Sequence, residues 1–260
     1  MAPKFIVIEG LDSTGKETQS NLLVDKLRNE GNKVLKISYP NYDSRSSELV
    51  KMYLNGEILE NPEDINPYAT STFYAADRYI TYIKEYKDIW NDYDYIIADR
   101  YVESNMIYQL TKLWNKKDPV KFISWLIQLE YSLNKLPYPD LILYLTVPLE
   151  VSTKLLSDRS KKNNVQLDIH EKNLSYLDRC NIVARYCCNL FSWKEIECAT
   201  SDKNNIDSIE DIHQRIYDVI KDNWNMFMNH THLNVEYTLG INGRSLLYNS
   251  NIDPFSKNVD

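Results

Sequence analysis

The alternation of apolar and polar positions predicts strands separated by helices along most of this chain. Four short runs are largely apolar, as is typical of strands buried on both faces of a parallel sheet, and a fifth, the last, is strand-like. They cover residues 4–9, 33–40, 93–100, 139–148 and 193–198. Segments with helical periodicity lie between and after them, at about residues 18–31, 45–54, 67–90, 102–114, 118–135, 149–158, 170–191 and 206–223. This order of elements predicts the α/β class, with a doubly wound parallel sheet of about five strands flanked by helices.

Two stretches interrupt the pattern. Residues 158–168 (DRSKKNNVQLD) are polar and lack periodicity, which is typical of a mobile lid. Residues 225–260 contain several Asn and little periodicity, so this segment is either disordered or lies on the surface. The chain has 260 residues, of which 43% are hydrophobic, and this is enough for one α/β domain. We therefore predict one domain over residues 1–224 and a C-terminal extension over 225–260.

Charge and composition narrow the class of partner. The formal net charge of −7 argues against binding to a nucleic acid polymer, which requires the neutralisation of many phosphates. A small phosphorylated ligand needs only a local basic pocket and stays compatible with this charge. No apolar run reaches the length of a membrane span. We expect a soluble, cytoplasmic protein that does not bind membranes.

The segment GLDSTGKE (residues 10–17), between the first predicted strand and a helix, nearly matches the phosphate-loop pattern G-x-x-x-x-G-K-[ST]. Such a loop, typical of phosphate-loop NTPases, directs backbone N–H groups and a helix N-terminus at phosphates, while its lysine reaches the terminal ones. Glu17 departs from the pattern, because a hydroxyl residue is expected there. We predict that ATP contacts Gly10, Ser13, Thr14, Gly15, Lys16, Glu17 and Thr18.

Two carboxylates in or near this loop predict a Mg²⁺ site. Asp99 ends an apolar strand, which places it beside the loop. Thr18 cannot simply replace the missing hydroxyl, since one step along a helix rotates a side chain by roughly 100°. Glu17 either binds Mg²⁺, directly or through water, or turns aside onto a nearby lysine or arginine. We favour Mg²⁺ binding by Glu17 and Asp99, with Asp12 sharing the ion.

Three segments, in this order and spacing, resemble the thymidylate kinase family of phosphate-loop nucleoside monophosphate kinases. They are FIVIEGLDSTGKETQ (5–19), FYAADR (73–78) and DRYVESNMIYQ (99–109), and the resemblance covers roughly residues 4–222. It implies an enzyme that transfers the γ-phosphoryl group of ATP to dTMP, giving dTDP and ADP, with Mg²⁺ as cofactor. It also implies a homodimer.

The resemblance implies roles for individual residues. Tyr74 would stack on the base, Arg78 would hold the pyrimidine edge, and Arg100 would contact the acceptor phosphate. The full set implied to bind dTMP is Asp12, Pro40, Tyr42, Tyr74, Arg78, Arg100, Ser104, Asn105 and Tyr108.

The predicted lid supplies one further catalytic candidate. Some members of the family carry a basic residue in the phosphate loop, at the position where this chain has Ser13. Members that lack it supply the positive charge from the lid instead, and this chain resembles them. Arg159, Lys161 and Lys162 lie in the predicted lid, and one of them, for which we take Arg159, would stabilise the transferring phosphoryl group. The predicted catalytic residues are therefore Lys16, Asp12, Arg100 and Arg159. The segment LDIHE, which ends at Glu171, resembles the acidic pattern that follows the family's lid.

Two alternatives stay open from the sequence. The enzyme could act on another deoxynucleoside monophosphate or on several of them. Alternatively, Glu17 could have impaired catalysis and left a nucleotide-binding regulator.

Overall fold

The computed structural model describes residues 2–113, 119–163 and 167–229. Its five strands are β1 (Lys4–Gly10), β2 (Val34–Ser38), β3 (Tyr95–Asp99), β4 (Leu141–Thr146) and β5 (Lys194–Glu197). They form one sheet in the order β2-β3-β1-β4-β5, and every neighbouring pair is parallel. The predicted fold class is confirmed.

Eight α-helices are found in the described ranges. They are α1 (Lys16–Asn29), α2 (Glu48–Leu54), α3 (Pro67–Thr81), α4 (Val102–Thr111), α5 (Pro119–Ile127), α6 (Leu149–Asn163), α7 (Leu174–Phe191) and α8 (Ile209–Asn229). The long helices predicted over 67–90 and 118–135 are each an α-helix that passes into a π-helical turn, Tyr82–Tyr86 after α3 and Gln128–Leu133 after α5.

The ends of α6 and α8 differ from the sequence prediction. α6 runs through Arg159 to Asn163, because Asp, Arg, Ser and Lys are compatible with a helix and no Gly or Pro ends it earlier. The first part of the predicted lid is therefore helical, and residues 164–166 lie outside the described residues. The chain divides into two compact units, Met1–Val219 and Ile220–Asp260, and the described part of the second unit is the end of α8. The predicted extension falls largely on residues 230–260, which lie outside the described residues.

The register of the central strand positions the candidate site. β1 pairs with β3 so that Ile8 lies opposite Asp99, and with β4 so that Gly10 lies opposite Leu145. Because the strands are parallel, their carboxyl ends meet at one edge of the sheet, where α/β proteins bind ligands. The central strand β1 is buried on both faces, as the successive residues Ile6 and Val7, each at 0% exposure, illustrate. The phosphate loop and the Asp99–Arg100 pair are thereby brought together.

Two further findings concern side chains and helix composition. The four cysteines are free and buried, in agreement with reduced thiols. Among the helices that the structure describes, none combines the length and apolar composition needed to cross a membrane.

Candidate functional site

The phosphate loop makes a tight turn from β1 into α1. A Cβ atom at Gly10 would lie 2.7 Å from Oγ1 of Thr14 and 3.0 Å from the carbonyl oxygen of Leu145, so only glycine fits there. Gly15 precedes the first turn of α1 in the left-handed conformation, with φ of 86°. The loop therefore presents the free N–H groups of a helix N-terminus at the edge of the sheet.

Lys16 lies buried within this loop. Its ammonium donates a hydrogen bond of 2.7 Å to the carbonyl oxygen of Leu11. Burial and the neighbouring Arg100 lower the pKa of Lys16 to about 8, although the carboxylates of Asp12 and Asp99 oppose the shift. A lysine so close to Asp12 and Asp99 has the position that a phosphate-loop lysine requires.

Arg100 and Asp12 join the end of β3 to the phosphate loop. Nη2 of Arg100 donates to Oδ1 of Asp12 at 2.5 Å, and Nη1 donates to Gly10 O at 3.2 Å and to Ser104 Oγ at 3.3 Å. The hydroxyl of Tyr108 donates to the other oxygen of Asp12 at 2.9 Å. Burial alone would raise the pKa of Asp12, but Arg100 and Lys16 hold it at about 2. Asp12 is therefore a charged group whose two oxygens are both engaged.

Glu9, near the end of β1, holds the start of α4 in place through hydrogen bonds. It is fully buried at the end of β1 and accepts hydrogen bonds from the backbone N–H of Tyr101 at 2.9 Å and from the Ser104 hydroxyl at 2.9 Å. Burial raises its pKa, and Arg100 opposes the shift. Glu9 is not recognisable as a site residue from the sequence, because a single acid at the end of an apolar run does not reveal a buried partner.

A pocket that opens to solvent lies beside these residues. All nine residues predicted to bind dTMP line it: Asp12, Pro40, Tyr42, Tyr74, Arg78, Arg100, Ser104, Asn105 and Tyr108. Further lining residues, absent from the prediction, include Gln109, Asp168 and His170. The structure therefore brings the predicted set together from four separate stretches of the chain, while the role of each residue stays a prediction.

One end of the pocket carries a buried arginine. Arg78 is 2% exposed; its Nη2 donates to Oε1 of Glu130 at 2.5 Å and its Nη1 donates to Tyr101 O at 3.1 Å. Burial alone would lower the pKa of Arg78, but Glu130 outweighs this and raises it. Asn105 lines the same pocket, and its side-chain amide N–H₂ donates to Ser71 O at 3.2 Å. This bond fixes the amide, so its oxygen points away from Ser71.

His170 and Asp168 also line the pocket, although neither residue was predicted from the sequence to bind a substrate. The His170 ring stacks on Tyr108, with centroids 4.9 Å apart and planes 13° apart, and its Nε2 shares a hydrogen bond of 2.6 Å with the Tyr53 hydroxyl. Burial lowers the pKa of His170 to about 3, so the ring is neutral. Burial and the charge of Asp12 raise the pKa of Asp168 to about 7. The segment LDIHE carried a signal, but only its last residue was singled out.

The donor set fits Mg²⁺ only in part. Glu17 is exposed on the first turn of α1, and both oxygens of Asp12 are occupied by Arg100 and Tyr108. Within residues 2–113, 119–163 and 167–229, no group of three or more His, Cys, Asp and Glu could hold a metal ion. Asp99 is 9% exposed, and its charge acts to raise the pKa of the neighbouring Lys16. A single carboxylate in this position fits an ion that is held mainly by phosphate oxygens and water. Ligation by Glu17 stays a prediction.

The lid candidate is not tested by the geometry. Arg159 belongs to α6, and its side chain lies outside the described part of the structure.

Comparisons with known proteins identify the family of this chain. The family model described as thymidylate kinase matches residues 8–216. The chain is 30% identical over 173 residues to a probable thymidylate kinase of Caldivirga maquilingensis, covering 66% of this chain and 75% of that protein. It is 27% identical over 218 residues to a probable thymidylate kinase of Pyrococcus horikoshii, covering 84% of this chain and 95% of that protein.

Solved structures show the same fold. A thymidylate kinase from Candida albicans superimposes with a TM-score of 0.62 at 21% identity, covering 86% of this chain and 93% of that chain. A thymidylate kinase from Ehrlichia chaffeensis gives a TM-score of 0.57 at 20% identity, covering 85% of this chain and 100% of that chain.

Proposed function

Because the chain belongs to the thymidylate kinase family, we propose that its phosphate loop binds ATP while the neighbouring pocket binds dTMP. The reaction is the transfer of the γ-phosphoryl group of ATP to dTMP, giving dTDP and ADP. The observation that carries the residue assignments is the meeting of the phosphate loop and the nine-residue pocket at Asp12 and Arg100. Both reactants would then lie within reach of the same two side chains.

On the donor side, Lys16 and the loop N–H groups would hold the phosphates of ATP. A buried lysine near a helix N-terminus neutralises charge on the transferring group, which is the main contribution of protein residues to this chemistry. Asp99 would hold Mg²⁺ together with phosphate oxygens and water, and the ion would supply further charge neutralisation. Arg159 from the end of α6 is the proposed additional positive charge.

On the acceptor side, Arg100 would contact the phosphate of dTMP, and Arg78 with Asn105 would read the base. The guanidinium offers only donors, whereas the Asn105 amide oxygen is an acceptor, and the bond of the amide N–H₂ to Ser71 O would leave that oxygen available to the base. Thymine presents a carbonyl oxygen beside a ring N–H, which complements this pair. Cytosine presents an amino group beside an unprotonated nitrogen, which conflicts with both residues. The pocket therefore favours dTMP over dCMP.

No strong base is needed for this reaction. Phosphoryl transfer depends mostly on alignment of donor and acceptor and on charge neutralisation. The ion pair of Arg100 with Asp12, held further by Tyr108, supplies a rigid reference between the two substrates. The neutral His170 packed on Tyr108 adds to that rigidity.

A panel of nucleoside monophosphates tests the proposal. dTMP, dUMP, dCMP and dGMP are each supplied with ATP and Mg²⁺, and ADP release is followed. We expect dTMP to give the highest kcat/KM and dCMP to be poor. Similar values for all four would favour a kinase of broad specificity. Binding of ATP and dTMP without turnover would instead favour the nucleotide-binding regulator.

A homodimer and a cytoplasmic location are further proposals that follow from the family resemblance. Sedimentation equilibrium of the full chain would test the first, with twice the mass of one chain as the expected result.

A further inference from the structure

The Arg78–Glu130 pair lies beneath the proposed base end of the pocket. The two side chains are 2% and 0% exposed, and Nη2 and Oε1 are 2.5 Å apart. Arg78 lines the pocket, whereas Glu130 does not. The pair joins two elements that are distant in sequence, α3 and the π-helical turn Gln128–Leu133. Glu130 is therefore placed to act on a bound base only through Arg78.

The hydrogen bonding of this pair is incomplete. Within the part of the chain that the structure describes, Nε of Arg78 and Oε2 of Glu130 are buried and have no hydrogen-bond partner. A guanidinium carries five N–H donors, and the two contacts of Arg78 are with Glu130 and Tyr101 O. Such a group retains donors for a ligand in the pocket that it lines. The two existing contacts fix the plane in which those donors lie.

The π-helical turn explains how Glu130 reaches this position. A π-helical turn inserts an extra residue into a helix, which shifts the following side chains relative to the preceding ones. In this turn Glu130 contacts Arg78, and the adjacent Tyr131 donates its hydroxyl to Oε1 of Glu103 at 2.8 Å. Two neighbouring residues of the turn thus hold α3 and α4, the two helices that supply Arg78 and Asn105. Such turns occur frequently at functional sites.

We propose that Glu130 is a positioning residue for base selection: it holds the guanidinium of Arg78 with free donors toward the pocket, and so favours bases that present a carbonyl oxygen over bases that present an amino group. The proposal deepens the proposed function and rests on it. Without Glu130, the buried charge of Arg78 loses its compensation, and the side chain turns toward other acceptors or toward solvent. The donors then no longer face the base.

Glu130→Gln tests this by removing the charge and keeping the shape. We expect KM for dTMP to rise about 10- to 100-fold, the range for loss of one hydrogen bond to a charged group. KM for ATP should stay within about twofold, since the contacts of Arg78 are with Glu130 and Tyr101 rather than with the phosphate loop. The preference for dTMP over dCMP in kcat/KM should fall by a similar factor. Glu63→Gln is the matched control, because Glu63 pairs with Arg179 at the same distance of 2.5 Å but away from the pocket lining.

A double-mutant cycle shows whether Glu130 acts through Arg78. In an Arg78→Ala background, Glu130→Gln should add no further loss in dTMP binding. Losses of dTMP binding that multiply when the two substitutions are combined would overturn the proposal. So would equal rises of KM for ATP and dTMP in Glu130→Gln, or an unchanged preference of that variant for dTMP over dCMP. If a single variant does not fold, the double variant Arg78→Met/Glu130→Met removes both charges at once. Its preference for dTMP over dCMP can then be compared with that of the wild type. A folded double variant that keeps the full wild-type preference for dTMP over dCMP would also overturn it, since only the part of the preference that Asn105 supplies should remain.

Binding and turnover are measured separately so that two failures can be told apart. Calorimetric binding of dTMP and dCMP to the wild type and to Glu130→Gln does not require phosphoryl transfer. A wild type that binds dTMP selectively without turnover would contradict the proposed function, and the loss of that selectivity in Glu130→Gln would still support the positioning role. A wild type that binds neither nucleotide would overturn both.

Discussion

Arg100 donates a hydrogen bond of 2.5 Å to the carboxylate of Asp12, and the same guanidinium contacts Gly10 O and the Ser104 hydroxyl. One side chain thus connects the phosphate loop, the end of β3 and the first turn of α4. Its backbone has φ of 64°, so the residue leaves the strand in a left-handed conformation and turns its side chain back toward the loop. The contact between the two halves of the site is therefore built from both backbone and side chain.

Arg100→Lys should weaken this connection, because an ammonium cannot reproduce the fork of a guanidinium toward three acceptors. We expect kcat/KM for dTMP to fall about 10- to 100-fold, as for loss of a charge-assisted hydrogen bond. Steady-state kinetics with varied dTMP at saturating ATP would measure this. Arg185→Lys on α7, away from the pocket lining, is the control. Wild-type kinetics in Arg100→Lys would show that the contact is dispensable.

Lys16→Ala should remove most turnover while the fold persists. The ammonium of Lys16 donates to the carbonyl oxygen of Leu11, and Asp12 keeps Arg100 and Tyr108 as partners without it, so the fold should persist. Loss of a donor to a developing charge costs about 10²- to 10³-fold in kcat. Rates and thermal unfolding are measured together, with Lys26→Ala on the outer face of α1 as the control. Near-normal rates would contradict the assignment of the phosphate loop.

The role of Glu17 is tested by two substitutions. If its carboxylate binds Mg²⁺ once ATP is present, Glu17→Gln lowers kcat and the affinity for Mg²⁺ together, because an amide is a weaker ligand. Glu17→Thr restores the hydroxyl of the common pattern and should keep activity. The measurement is the Mg²⁺ dependence of the rate. An unchanged dependence in Glu17→Gln would refute ligation and favour the exposed position seen on α1.

The stability of the protein should depend on pH through Glu103. Burial raises the pKa of Glu103 from an ordinary 4.5 to about 8, and the negative charge of Glu9 adds to this shift. The Glu103 carboxyl therefore holds its proton more tightly in the folded state than in the unfolded state. Stability is therefore lost as pH rises from about 4.5 to about 8, where the unfolded state ionises first. Glu103→Gln keeps the bond to Tyr131 without ionising. Its advantage over the wild type in the free energy of unfolding should be near zero at pH 4.5 and exceed about 1 kcal/mol at pH 8, since one pKa unit is about 1.4 kcal/mol. Urea unfolding across this range measures it, and a constant difference would contradict the assignment.

The sequence predicted the sheet and the phosphate loop well because both depend on local patterns. An apolar run such as Phe5–Ile8 is read directly as a buried strand, and Gly10, Gly15 and Lys16 have fixed spacing. The nine pocket residues were predicted from the family resemblance, because each lies within or near a short segment that is similar to a family motif.

The missed residues depend on contacts between distant positions. Glu130 alone in a helical segment is expected to be a solvent-exposed charge, and only the fold shows that Arg78, far earlier in the chain, neutralises it. The π-helical turn that carries Glu130 has no distinct composition, because QLEYSL is compatible with an ordinary α-helix. His170 was overlooked for the same reason: its partners Tyr53 and Tyr108 come from two other helices.

The central place of β1 in the sheet has a consequence for the synthesis of the chain. β1 is synthesised before the other strands of this sheet, yet its two neighbours come much later: Phe5 pairs with Ile96, and Ile6 pairs with Leu141. Until β3 and β4 have been made, this apolar strand has no partner within the sheet. Nascent chains that stop before β4 should therefore expose it, and such segments are prone to aggregation and are the ones that chaperones bind.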